Sequence, residues 1–378
     1  MKTKTILILG GYGGTGRVVS RLLLKETDVD IIIAGRSINK AEELSSHLIK
    51  EFPGKRVSAQ YADASDYESL IAAFKGVSMV IVASTTTQYV KQVAQAAIDA
   101  GIDYLDYHYP QNTVPILNSL APSIKEAGRC FITQAGFHPG LPSVFVRYVA
   151  PTFDRYKKAV ISTAINTRIE KPESVYELVD EIGNWKADIF KDGKWKRGDY
   201  KDANKVDFGP PFGDRFCYPL QMEEIRPLPE MFGLNEVGVY VAGFNWFVDF
   251  IVFPLASILF KIRKGLGRHF VASLMVRGIN SFSSSEQGVS FVLEAEGEKE
   301  GKPVKVRLVA EYNDVYYFTA IPVVACIAQY LDGSIAKPGL WMMGHVVDPV
   351  RLMNDMERMG IKIQMEVTEG NCNTKEGI

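Results

Sequence analysis

"ILILGGYGGTGRVV", residues 6–19, decides the fold. An apolar run leads into five glycines within the seven positions 10–16. Glycine loses more conformational freedom on folding than any other residue, so this crowding needs a cause. Positions 11–16, "GYGGTG", fit G-x-G-x-x-G after a predicted strand and at the start of a predicted helix. In that setting Gly11 permits the tight turn, Gly13 lets the backbone approach a pyrophosphate, and Gly16 lets helix and strand pack closely. N–H groups at the helix start then hold phosphate. The expected ligand is a dinucleotide bound by Gly11, Tyr12, Gly13, Gly14, Thr15 and Gly16.

The end of the second strand selects the dinucleotide. An NAD site usually places Asp or Glu there for the ribose 2′-OH. In "IIIAGRSINK" that position holds Gly35, and Arg36, Ser37 and Lys40 follow. Two cations and a hydroxyl suit a 2′-phosphate, so the expected cofactor is NADP. Asp63 ends the third strand, where adenine contact is expected, and Ser84 and Thr85 end the fourth. A helix-capping role for that Ser/Thr run is the plainer alternative.

Outward from this loop, short apolar runs alternate with amphipathic segments over the first ~135 residues, a length that fits one domain. Strands are predicted at Thr5–Gly10, Asp30–Gly35, Val57–Ala62, Met79–Ser84, Asp103–Tyr107 and Cys130–Gln134. Helices are predicted around Gly14–Lys25, Lys40–Phe52, Tyr67–Phe74, Tyr89–Ala100 and Val114–Ala127. Such alternation makes an α/β, Rossmann-type, doubly wound parallel sheet covered on both faces.

After Pro151 the pattern changes. "KAVISTAINTRIE", "ADIFKDGKWKR" and "VSFVLEAEGEKEGKPVKVRLVAEY" read as strands, with a hairpin at Asp192-Gly193 and a connection at Gly297–Pro303. The expected domains are 1–136, binding NADP, and 137–320, an α+β domain on a mostly antiparallel sheet for substrate and dimerisation. A helical segment, 321–378, follows and packs back on the first domain.

The 378 residues carry a formal net charge of −1 and 47% hydrophobic side chains, which suits a globular protein and leaves a nucleic-acid role without support. Four cysteines (Cys130, Cys217, Cys326, Cys372) without CxxC spacing, and a basic start whose apolar run is too short for a signal peptide, point to a reducing, cytoplasmic setting. No spacing fits a metal site. Residues 237–265, "VGVYVAGFNWFVDFIVFPLASILFKIRKG", are long enough to span a bilayer, but Asn245, Asp249 and Pro254 interrupt them. Burial or a dimer interface is the expectation; a peripheral membrane contact aided by Lys261, Arg263, Lys264 and Arg268 is the alternative.

Two polar clusters end the fifth and sixth strands. "LDYHYPQ" offers Asp106, Tyr107, His108 and Tyr109, and "AGFHPGLPS" offers His138 near a helix start. Hydride transfer needs orientation and one proton donor or acceptor, so His138, His108, Tyr109 and Asp106 are the catalytic candidates. A structural hydrogen bond is the competing role for each histidine. No tyrosine is followed by lysine four residues later, which argues against a short-chain dehydrogenase.

Together, "GGYGGTGR", "AGRS", "AAIDAGIDYLDYHYP", "EAG" and "GFHPGLPSVFV" resemble the saccharopine dehydrogenase family over the first ~150 residues, about one domain's length. "GEKEGKPVKVRL", "TAIPVVACIAQYLDGS" and "KPGLW" continue the resemblance more weakly. It implies a Rossmann domain followed by a second α/β domain that binds substrate and often forms a homodimer. The implied chemistry is NADP-dependent hydride transfer at a C–N or related unsaturated centre of a small molecule. The saccharopine-forming members carry Asp-Pro-Gly-Leu where this chain has His138-Pro139-Gly140-Leu141. The alternative function is a non-catalytic NADP(H)-binding or sensing protein. In the enzyme reading, the second domain roofs the carboxyl edge of the sheet, and both histidines face the cleft so formed.

Overall fold

Leu7, Val80, Tyr104 and Phe131 are fully buried, and they lie on four adjacent strands of one parallel sheet. A computed structural model describes residues 4–54, 56–169, 172–183, 187–283 and 286–370 of the chain. Within it the order along the N-terminal part is β1 (Thr5–Leu9), α1 (Gly14–Glu26), β2 (Asp30–Gly35), α2 (Ile38–Glu51), β3 (Val57–Tyr61), α3 (Tyr67–Ala73), β4 (Met79–Val82), α4 (Val90–Asp99), β5 (Asp103–Asp106), α5 (Thr113–Glu126) and β6 (Cys130–Thr133). The strands stand in the order β6-β5-β4-β1-β2-β3, all parallel. The apolar character of β1, β2 and β4 follows from burial on both faces, whereas β3, at the edge of the sheet, has only Val57 buried.

Register aligns the carboxyl ends. Leu9 lies beside Ala34 and Val82, and Val82 lies beside Asp106. The chain reverses direction across the sheet between β1 and β4, the switch point where such folds take ligands. On α1, Val18, Val19, Leu22 and Leu23 are buried, as their spacing predicts.

A seventh strand, Gly339–Met342, pairs in parallel with β6. The chain accordingly divides into two units: the residues up to Val144 with Tyr316–Gly360, and Phe145–Val315 with the described residues from Ile361 onward. The segment expected to be helical, 321–378, contains the helices Val315–Leu331 (in its larger part) and Pro349–Arg358, but also two strands, Gly339–Met342 and Lys362–Glu369. Each strand joins a different sheet. Cys372 lies outside the described residues.

The second unit is built on a nine-stranded sheet. Its centre is Arg155–Asn166, parallel to Glu236–Ala242 and antiparallel to Gly288–Lys299. Asp188–Lys191 and Lys194–Arg197 form a hairpin whose turn residues Asp192 (φ 55°) and Gly193 (φ 73°) both have positive φ, as a two-residue type I′ turn requires. The same holds at Glu300 (φ 52°) and Gly301 (φ 74°) between Gly288–Lys299 and Lys302–Tyr312.

The apolar stretch 237–265 is not one element. Its first residues belong to the strand Glu236–Ala242; a π-helical turn, Val248–Val252, then runs into the helix Phe253–Ile262. The burial reading holds for one face of that helical run only. Val248, Val252 and Ala256 are buried with residues of the helix Arg268–Phe282, whereas Phe250, Ile251, Ile258 and Ile262 are exposed. No helix among the described residues is long and apolar enough to cross a membrane.

Candidate NADP site and active site

The glycine loop is held by backbone alone. Gly10 N–H donates to the Ala34 carbonyl (2.7 Å) and Gly13 N–H to that of Gly10 (2.9 Å). A Cβ on Gly16 would stand 2.5 Å from the Gly10 oxygen, and one on Gly10 would stand 2.9 Å from Ser84 backbone, at a residue whose φ is +84°. The N-cap of α1 is Gly13, which supplies no side-chain acceptor, and the first turn holds no acidic residue. Its positive end is therefore left for an external anion. The cradle fits a dinucleotide phosphate.

Tyr12 crosses from this loop to the end of β2. Its hydroxyl accepts from Ser37 N–H at 3.0 Å, and a Cβ on Gly35 would lie 2.6 Å from the same oxygen. The glycine at the usual acidic position thus has a steric cause. Arg36 and Lys40 are exposed beside it, and Ser37 is half-buried. Ser65 donates its N–H (2.9 Å) and hydroxyl (2.8 Å) to Asp63, and these bonds, with Arg36 nearby, hold that carboxyl below its ordinary range. The Ser84 and Thr86 hydroxyls share a hydrogen bond of 2.6 Å; Thr85 is exposed and Thr15 half-buried.

At the other half of the carboxyl edge, side chains replace backbone. Asp106 is wholly buried. Its carboxylate accepts from the Thr133 hydroxyl (2.9 and 3.0 Å), from His108 N–H (3.2 Å) and from Gln134 N–H (3.3 Å). Asp106 is thus an anchor for β5 and β6, enclosed by its own neighbours. Its Oδ1 lies 3.6 Å from His108 Nδ1, an ion pair once the ring is protonated. His108 is 6% exposed, and neither ring nitrogen has a hydrogen-bond partner among the described residues. Tyr107 Oη and Gln134 Oε1 are orphaned in the same way. Burial also pushes the Tyr107 phenol far up. Unpaired buried polar atoms are costly, and Tyr104 Oη on the same strand as Asp106 is another.

His138 stacks on Phe137 with centroids 5.1 Å apart. Enclosure of the ring lowers its pKa to about 3, although part of the residue still reaches the surface, so the imidazole is neutral at physiological pH. Gly136 N–H donates to the Pro139 carbonyl (3.0 Å), and Gly140 (φ +128°) leaves no room for a side chain before the helix Leu141–Val149 begins. Tyr109 is half-buried, and its carbonyl accepts from Gln111 Nε2 at 2.7 Å.

Sequence reasoning missed the contribution of the helix Val315–Leu331. Tyr316 lies against the glycine loop, so that a Cβ on Gly14 would stand 2.5 Å from its ring. Phe318 meets Phe137 edge-on at 5.4 Å, and Arg21 Nη1 donates to Tyr317 Oη at 3.2 Å. The aromatic run "VYYF" was the available signal, but nothing local ties it to a loop some 300 positions earlier.

Residues 6–132 match the saccharopine dehydrogenase NADP binding domain. They are a saccharopine dehydrogenase-type NADP site. Across its length the chain is 24% identical to carboxynorspermidine synthase of Vibrio cholerae serotype O1, covering 93% of this chain and 94% of that one. The Vibrio alginolyticus carboxynorspermidine synthase is 22% identical, with 95% and 96% covered. Among solved structures, apo saccharopine dehydrogenase (L-Glu forming) of Saccharomyces cerevisiae superposes with a TM-score of 0.71 at 16% identity, covering 97% of this chain and all of that one, which shows the shared fold. The saccharopine dehydrogenase-like chain is an NADP-dependent oxidoreductase, and the non-catalytic alternative finds no support in these relatives.

Proposed function

We propose that the enzyme reduces a C=N bond formed between a primary amine and a small carbonyl compound, giving a secondary amine that carries a carboxylate. Support comes from the two relatives named for a carboxylated polyamine, similar over nearly the whole chain. The observation that carries the reading is the set of unpartnered buried atoms on Tyr107, His108 and Gln134 at the ligand edge of the sheet.

NADPH, when bound, supplies the hydride. In this reading the α1 N-terminus and the bare backbone of Gly10–Gly16 hold its phosphates, and Arg36, Ser37 and Lys40 hold the 2′-phosphate. Asp63, Ser84 and Thr85 border the same cofactor. His108 delivers the proton, because Asp106 stands 3.6 Å from its Nδ1 and stabilises the charged ring. Asp106 positions rather than touches substrate. His138, neutral and a weak base, orients the substrate by hydrogen bonding, and Tyr109 borders it. A homodimer and a cytoplasmic location belong to the same reading; the thiols of Cys130, Cys217 and Cys326 are free and buried, as a reducing compartment allows.

The test is NADPH consumption with primary diamines and small carboxylated aldehydes, offered singly and together, and with amino acids plus 2-oxo acids. Consumption that requires both an amine and a carbonyl is expected. Equal rates with the carbonyl compound alone would instead make the enzyme a carbonyl reductase.

A further inference from the structure

The helical run from Val248 to Ile262 has two apolar faces where a surface helix needs one. Val248, Val252 and Ala256, four residues apart, face the buried cluster. Ile251, Leu255, Ile258 and Ile262 repeat at the 4-3-4 spacing of a second stripe, and along it Ile258 is 60% and Ile262 72% exposed. Phe250 (70%), Leu266 and Phe270 (57%) extend the exposed apolar surface on either side. Scattered exposed side chains need no explanation, but a periodic stripe of large ones does.

Charge identifies what covers it. From Trp246 to Phe282 there are five cationic residues, Lys261, Arg263, Lys264, Arg268 and Arg277, and one acidic residue, Asp249. Asp249 is turned inward: it accepts from Phe244 N–H at 3.0 Å, and burial raises its pKa. Arg268 is held by Asp180. Lys261, Arg263 and Lys264 are exposed at the end of the stripe and have no ion-pair partner among the described residues. A twofold pairing would bring this patch against itself, cations included, with no exposed acid in the segment to neutralise them. An anionic lipid surface offers both the apolar phase and the counter-charge.

We propose that this helical run docks the enzyme on anionic phospholipid bilayers, lying in the interface with Phe250, Ile258 and Ile262 inserted and Lys261, Arg263 and Lys264 among the headgroups. At 1.5 Å per residue it is too short to span. The proposal stands independently of the reaction assigned above.

The experiment is flotation of the full chain with phosphatidylcholine vesicles with and without phosphatidylglycerol, at low and high salt. Binding only to the anionic vesicles, weakened by salt, is expected. Lys261→Gln and Lys264→Gln should each lower partitioning about fivefold, and Phe250→Ser combined with Ile262→Ser should abolish it. NADPH titration of every variant reports that the fold survives, and sedimentation reports its oligomeric state. Three results overturn the proposal: no flotation of the unmodified protein with anionic vesicles, flotation indifferent to both sets of substitutions, or a dimer that the Phe250/Ile262 substitutions dissociate.

Discussion

Gly10, Gly11 and Gly16 leave bare backbone at the end of β1, whereas Asp106, His108 and Gln134 crowd the ends of β5 and β6 with buried polar side chains. In the first half a Cβ at any of these three glycines would collide, so bare backbone is what a ligand meets there, and Arg36 and Lys40 stand exposed beside it, as the proposed hold on the 2′-phosphate needs. The second half buries polar atoms that the protein itself does not satisfy, which costs free energy, and in the proposed function these atoms meet the substrate. A cofactor handle shared by many enzymes suits the first design. A particular substrate suits the second, because a site built to hydrogen-bond its ligand rejects analogues that leave its polar atoms unpaired.

If the two halves are separable, substitutions should split binding from chemistry. His108→Gln should cut turnover by about 10²–10⁴ with NADPH affinity unchanged; rapid-mixing rates beside a fluorescence titration check this, and full activity would move the proton transfer elsewhere. On the other half, Arg36→Asp should lose about 1.5–3 kcal/mol of NADPH binding, the range for a charged hydrogen bond, and raise the relative preference for NADH. Equal titration of both cofactors by the unmodified protein would break the 2′-phosphate assignment. Gly16→Val should cost about 1–3 kcal/mol through overpacking against Gly10 and Gly11, seen as a lower melting temperature together with weaker NADPH binding.

The smallest effect is a pH slope. His138 has a folded pKa of about 3 against an ordinary 6.5, so the unfolded chain binds the extra proton between those values. The stability of the neutral ring is intact above 6.5 and drains away as pH falls toward 3. Melting temperatures across that window should decline less steeply for His138→Gln; identical slopes would mean the ring is as solvated as in the unfolded chain.

The legibility of the two halves in the sequence differs for the same reason. A glycine loop announces itself because bare backbone has to be written as glycine, and strands buried on both faces have to be written as apolar runs; β1, β2 and β4 were therefore readable, while the partly exposed edge strand β3 was placed by its spacing between two helices. Orphaned nitrogens on His108 are a fact of surroundings, and "YHY" reads the same whether buried or wet. Gly339–Met342 is only four residues long, directly follows Pro338 and gives no periodicity to read. Asn204–Asp207 and Asp214–Leu220 show no clean alternation. Residues 237–265 misled because a buried strand and a two-faced helix are both apolar, and hydropathy alone does not mark the junction at Gly243.

The late return of the chain to its first sheet also sets a timetable. Residues up to Val144 carry β1 to β6, yet the helix that supplies Tyr316 and Phe318 and the strand that closes the edge of β6 are made only after the whole of Phe145–Val315. During synthesis the NADP-binding half must wait with Phe137 uncovered and a β-edge open, a state prone to mispairing. Each unit is therefore made from two separate stretches of chain, and a nascent chain halted before Val315 is an unfinished nucleotide-binding domain rather than a shorter enzyme.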